Sequence, residues 1–336
     1  MIITFKKDAD PQVLDSIKQL LRQKHLHGFQ AGQRLAIVHQ KTIEFNEEQR
    51  NAIEETISNE PTYIAVSRMF HPHDTVIKLP HSEIGGTHFA MIASSPVIQS
   101  NGQIHRAAIM AHQGDATILA GNAFAQQMNA YDDENTNTGE NGLQYLRAAA
   151  DANELDVMSE VDSVAHMAMV AHYADIIKIG ARNMRNYELL KAAAQTNKVL
   201  ALTRAKDATI DEWLNVAEYI AELGNMQVIL VDEGIRTFAD EHTAYTMSLE
   251  TIPLLKKLTH YPVLISPSIS SNDHHLVAPM TRAALVSGAN GVLIDVSDDT
   301  KNHIDEAAIT SQEFLTLGQQ VKSLTSSMPL WRENDD

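Results

Sequence analysis

The sequence predicts an α/β protein: a (β/α)8 barrel preceded by a small βαββαβ domain of ferredoxin-like arrangement. Three observations carry that expectation. Short runs rich in β-branched residues recur at intervals of roughly 30 residues, each followed by an apolar pattern of helical period. Eight such units in alternation fit a closed parallel barrel better than an open doubly wound sheet. The chain of 336 residues also exceeds the roughly 250 of a plain barrel, which leaves room for an N-terminal appendage.

The appendage is assigned to residues 1–66. Ile2 to Phe5 reads as a strand, and Asp10-Pro11 as an N-cap with proline at the first helical position. Val13, Leu14, Ile17, Leu20 and Leu21 then follow at helical spacing. A weak strand near His27 to Gln30 comes next, then a strand at Leu35-Ala36-Ile37-Val38. A helix from Glu47 to Ile57 and a closing strand at Tyr63-Ile64-Ala65-Val66 complete the βαββαβ order. Residues 67–90 predict a connecting hairpin, from Thr75-Val76-Ile77-Lys78 and Glu83-Ile84-Gly85-Gly86-Thr87, that caps the bottom of the barrel.

The barrel is assigned to 91–326, with a disordered tail at 327–336. Its strands are expected at Phe89-Ala93, Ala116-Leu119, Asp156-Glu160, Ile176-Ile179, Val199-Leu202, Val228-Val231, Val263-Ile265 and Val292-Val296. Two stretches of low helicity, Gln126 to Gly142 and Glu233 to Tyr245, fall on loops of the top face.

Composition narrows the function. With 43 acidic against 26 basic residues, the formal net charge is -17, which argues against nucleic acid or anionic membrane as the main partner. No apolar run approaches the roughly 18 residues of a membrane span, and the start lacks a signal-peptide stretch. The chain has no cysteine, hence no disulfide, thiolate ligand or cysteine nucleophile, and a cytoplasmic location is expected.

Against this acidity, Arg182, Arg204, Lys206 and Arg236 sit at or just beyond the C-terminal ends of predicted strands, with Lys178 close by. Barrel active sites are built at that face. Positive charge kept there predicts a phosphate- or carboxylate-binding pocket. The residues leave two arrangements open. The arginines either converge on an open anion site or are tied to carboxylates such as Asp232, Glu233 and Asp295. Lys206 reads as exposed, His274-His275 as loop surface, and Asp132-Asp133-Glu134 as a solvated acidic turn.

The stretches FHPHDTVIKL, EIGG, IGARNM, NYELL, ATIDEWLNVAEYI, GIRTF and LTHYPV resemble the class of 3-deoxy-D-arabino-heptulosonate 7-phosphate (DAHP) synthases that carries an N-terminal ferredoxin-like domain. The resemblance implies condensation of phosphoenolpyruvate with erythrose 4-phosphate, aided by a divalent metal, at the start of aromatic amino-acid synthesis. It also implies that the N-terminal domain senses an aromatic amino acid. Arg182, Arg204 and Arg236 match arginines near the phosphoenolpyruvate phosphate, and Glu160 matches the glutamate ending the third strand. Lys178 and Lys206 stand where that family usually has neutral side chains.

Other positions depart from the pattern. The metal-binding cysteine of Gly-Pro-Cys-Ser is replaced by Pro96, and the metal-binding histidine of Asp-Pro-Ser-His by Ile269. The cations of Arg-Gly-Gly-Ala-Phe-Lys-Pro-Arg become Ala120, Ala125 and Gln127, and the fifth-strand lysine becomes Thr203. Glu233 stands in place of an arginine, while Asp295 and Asp305 are left as the residual oxygen ligands. Two hard oxygen donors are poor anchors for a transition metal. These departures predict no metal cofactor, little or no family activity, and a surviving role in binding a phosphate-bearing small molecule. Homo-oligomers (dimer or tetramer) or association with an active paralogue are the expected assemblies.

Overall fold

The computed structural model describes residues 1–26, 28–38, 43–58, 61–124, 138–238, 245–271, 273–297 and 307–327. Its N-terminal part runs β1 (Ile2–Phe5), α1 (Pro11–Gln23), β2 (Gly28–Ala31), β3 (Arg34–Ile37), α2 (Glu47–Ala52) and β4 (Ile53–Ile57). The strands form one antiparallel sheet in the order β2-β3-β1-β4. Asp10 caps α1 by accepting the Gln12 amide, and Asn46 with Gln49 forms a reciprocal capping box on α2. Alternation along the strands sends Ile3, Phe5, Leu35 and Ile37 to a face packed on Val13, Ile17 and Leu21 of α1. Ile2 and Ala36 point the other way, onto Ile64 and Phe70 of the segment leading to the barrel.

Two expectations are corrected here. The helix expected over Glu47 to Ile57 stops at Ala52, and Ile53–Ile57 is the fourth strand. Ile53, Thr56 and Ile57 are β-branched and pair along β1, whose edge would otherwise lack backbone partners. Tyr63 to Val66 is buried but is not a strand. The amides of Ala65 and Val66 instead donate to the Glu218 carboxylate at 2.9 and 3.0 Å, so a side chain replaces a ladder partner.

The hairpin β5 (Val76–Lys78) and β6 (Glu83–Gly85) precedes eight parallel strands. These are β7 (Ala90–Ser95), β8 (Ile118–Gly121), β9 (Asp156–Glu160), β10 (Ile176–Ile179), β11 (Val199–Thr203), β12 (Val228–Asp232), β13 (Val263–Ile265) and β14 (Gly291–Ser297). Pairing of β14 with both β13 and β7 closes the barrel. The outer helices are α3 (Asn101–Gln113), α4 (Gly139–Asp151), α5 (Met167–Tyr173), α6 (Tyr187–Ala194), α7 (Ile210–Glu222) and α8 (Thr251–Leu258). They continue with α9 (Pro267–Ser271), α10 (His274–Val286) and α11 (Ser311–Ser327), the last preceded by the short β15 (Ile309–Thr310).

Barrel strands are buried on both faces, which explains their near-continuous apolar runs. Inward residues such as Ile92, Ile118, Met158 and Ile229 fill the lumen, and Ile77 and Ile84 of the hairpin plug its lower end. Asp156, at the bottom of β9, fastens that plug by accepting the His81 amide (3.1 Å) and the Ser82 hydroxyl (2.6 Å). The connecting segment is bolted to the loop between α8 and β13. Arg68 donates to the Lys256 and Thr259 carbonyls, Thr259 donates to Val66 O, and His260 donates Nε2–H to Ala65 O. Among the described residues, no helix is long and apolar enough to cross a membrane. The acidic turn Asp132-Asp133-Glu134, the positions Ala125 and Gln127, Asp305, and the tail beyond 327 lie outside the described residues.

Candidate functional site

Strand parity decides which side chains enter the mouth of the barrel. On β9, Asp156, Met158 and Glu160 share one face, and Met158 lies in the lumen, so Glu160 points inward at the top. On β10 the same argument places Lys178 inward beside Ile176, while Ile177 and Ile179 face the helices. On β12, Ile229 and Val231 are luminal, and Glu233, one residue past the strand, continues that face. Arg204 and Asp232 have the opposite parity. They meet each other behind the strand ends instead.

The result is a buried network of ion pairs. The Lys178 ammonium lies 3.0 Å from Glu160 Oε2 and 2.9 Å from Glu233 Oε1. The Lys206 ammonium lies 3.3 Å from Glu233 Oε2, donates to the Glu233 carbonyl at 2.8 Å, and sits 4.3 Å above the Tyr245 ring. Arg204 Nη1 is 3.5 Å from Asp232 Oδ2, and its Nε and Nη2 donate to Ala208 O at 3.0 and 2.8 Å. Asp232 Oδ1 accepts the Gly234 amide at 2.8 Å. Gly180 makes room for the network, because a Cβ there would stand 2.1 Å from Glu160 Oε1.

Electrostatics follow from this geometry. Burial by itself would lower the Lys178 pKa, but Glu160 and Glu233 outweigh it and hold the ammonium charged far above its usual range. Burial would likewise raise Glu233, yet Lys178 and Lys206 hold it below the ordinary carboxylate value. Lys206 is lowered, by burial first, with Glu233 resisting and Lys178 repelling. Asp232 is raised by burial, against the pull of Arg204 and the Gly234 amide. Lys178, Lys206 and Arg204 are thus matched in number by Glu160, Glu233 and Asp232, with the buried Asp295 carboxylate besides.

Of the five cations expected at an anion pocket, the structure brings Lys178 and Lys206 to the mouth and Arg204 behind the strand ends, each already engaged with a carboxylate. Arg182 and Arg236 are exposed on the rim. Of the two arrangements left open, Arg204 takes the second: its parity turns it away from the lumen and it pairs with Asp232. Lys206 is half-buried and not simply exposed, because Glu233 draws it inward. Sequence reasoning treated Glu233 only as one possible partner, although the alternation of β12 run on by one residue already aims it at the lumen.

Asp295 is buried and inward on β14, and its amide donates to Ser268 Oγ at 3.0 Å. Pro96 follows β7 and Ile269 lies in α9, and neither carries a donor atom for a cation. The hydroxyls of Thr203 and Ser266 are buried at the strand ends without a hydrogen-bond partner among the described residues. Asp273, His274 and His275, at the start of α10, have potential ligand atoms within 4.8 Å of one another, but Asp273 serves as the cap for the His275 amide.

A closed parallel barrel with charged side chains gathered at its C-terminal mouth, on a small antiparallel domain, defines the class: an α/β-barrel protein of enzyme-like architecture. Comparison with known proteins narrows it. Residues 135–329 match the model of the DAHP synthetase I family. The phospho-2-dehydro-3-deoxyheptonate aldolase of Thermotoga maritima is 35% identical over 283 residues, covering 84% of this chain and 83% of that one. A crystal structure of that Thermotoga maritima aldolase (DAHP synthase) superposes with a TM-score of 0.77 at 31% identity, covering 98% of both chains. A truncated form of the Thermotoga maritima synthase gives a TM-score of 0.73 at 36% identity, over 80% of this chain and 98% of that one. The chain belongs to the DAHP synthetase I family.

Proposed function

We propose that this chain is a DAHP-synthase-like protein that has lost the metal-dependent condensation and keeps an anion-binding or regulatory role. The observation that supports this best is the neutralised mouth. Lys178 and Lys206, the cations that face the lumen, are held by Glu160 and Glu233, and Arg204 behind the strand ends is held by Asp232. A phosphate dianion would have to displace Glu233 and would feel a site with no net positive charge.

The metal of the resemblance does not fit the residues present. Pro96 and Ile269 offer no ligand atom, which leaves Asp295 as the described oxygen donor of the implied set. We derive no step through a metal on that basis. Loss of preorganised donors typically costs about 2–4 kcal/mol per group in the transition state, and each 1.36 kcal/mol is about tenfold in rate. The proposal carries a phosphate-bearing small molecule as ligand, a cytoplasmic setting, and a homo-oligomer or an active paralogue as partner.

The deciding experiment assays product from phosphoenolpyruvate and erythrose 4-phosphate, with and without manganese. No product above background is expected. Turnover within about tenfold of an intact family member would establish the second reading, an active synthase with a rebuilt site. Identity of 35% across more than four-fifths of both chains is what favours that alternative.

A further inference from the structure

Glu233 holds a position that an exogenous anion would otherwise claim. Its two carboxylate oxygens are divided between two ammonium groups, Oε1 at 2.9 Å from Lys178 and Oε2 at 3.3 Å from Lys206. Lys178 has a second carboxylate, Glu160, at 3.0 Å. Beyond the Glu233 carboxylate, Lys206 meets the Glu233 carbonyl and the face of Tyr245, and Asp232 acts on it without an ion-pair contact among the described residues. Without the Glu233 charge, Lys178 would keep Glu160 while Lys206 would lose its carboxylate contact, which raises the positive charge in a place largely shielded from water.

We propose that Glu233 is a built-in occupant of an anion site formed by Lys178 and Lys206, and that the ligand it excludes is inorganic phosphate or a small phosphate monoester. Geometry and charge support that class. A tetrahedral dianion presents several acceptor oxygens and can bridge two ammonium donors as the carboxylate does. Lys206 is lowered by burial and by Lys178, so it gains from any added negative charge. The tether gives Glu233 a high effective concentration, which a free ligand must overcome. The mouth is therefore a latent site closed by one side chain.

The inference rests on the proposed reading that the mouth handles anions without catalysis, but its test reads binding and not turnover. Phosphate is titrated into the full-length wild-type protein and into Glu233→Gln, which keeps the volume and removes the charge. The variant is expected to bind phosphate with one-to-one stoichiometry, at least about tenfold more tightly than the wild type. Adding Lys206→Gln should abolish the gain. Equal affinity in wild type and variant, or a gain that survives Lys206→Gln, overturns the inference. If Glu233→Gln does not fold in phosphate-free buffer, phosphate should restore soluble protein where sodium chloride of equal ionic strength does not, and failure of that rescue also overturns it. A protein inactive in the condensation that gains no phosphate affinity would sink this inference and leave the functional proposal standing.

Discussion

Lys178 is an ammonium group inside a barrel, and it is tolerable there because two carboxylates lie within about hydrogen-bond reach of it. Removing one partner of such a set leaves an uncompensated buried charge. Lys178→Met should therefore lower the unfolding free energy by about 3–5 kcal/mol, measured by urea denaturation at neutral pH. A loss of less than about 1 kcal/mol would mean that water reaches the site. Gly180→Ala attacks the same network from the backbone. Its added Cβ collides with Glu160 Oε1, so the carboxylate must swing away from Lys178 at a cost of about 1–3 kcal/mol, provided the glutamate cannot find another rotamer. At this scale the sequence told part of the story. The charged types and their places at strand ends were readable. Their partners were not, because pairing depends on which neighbouring strands share a register, as Lys178 does with Glu160.

The joint between the small sheet and the barrel is built from elements that make few regular backbone pairs. The segment around Tyr63 to Thr75 relies on Glu218, Arg68, Thr259 and His260. His260 donates Nε2–H to a carbonyl, so its Nδ1 must accept from the Thr75 hydroxyl at 2.6 Å, and the neutral tautomer is the one that fits. Burial chiefly, with His71 adding, pushes its pKa from 6.5 down to about 3. Arg68 and Asp74 also act on it, in opposite directions.

The unfolded chain therefore binds a proton at this residue that the folded chain refuses. The stabilising contribution is complete above pH 6.5 and is lost as pH falls toward 3. Thermal midpoints should decline between pH 7 and pH 4, and His260→Gln should flatten that decline; an unchanged slope in the variant would rule His260 out. Here, too, sequence legibility had a physical limit. The eight barrel strands and the hairpin plug were readable from β-branched runs. The change from α2 to β4 was not, since EEQRNAIEETI keeps a helical composition and only pairing along β1 converts its second half into strand.

For the molecule as a whole, the barrel has the fold of its family, and under the proposed reading the mouth is rewired; the two are separable because the site is carried on strand ends and loops. The fold rests on the alternation of apolar residues down eight strands, and those residues pack into two buried clusters. The site rests on single side chains: Pro96 and Ile269 offer no donor, Ala120 and Thr203 no cation, and Glu233 pairs with Lys178 and Lys206. The proposed reading predicts that partial restoration fails. Pro96→Cys with Ile269→His returns a thiolate and an imidazole near Asp295, a donor set suited to a divalent transition metal. Manganese or zinc affinity, followed by calorimetry, should rise by at least about tenfold in the double variant. Product formation from phosphoenolpyruvate and erythrose 4-phosphate should nonetheless stay at background, because Glu233 still neutralises Lys178 and Lys206. Turnover in the double variant alone would show that the metal was the sole missing part and that the ion-pair network yields to substrate.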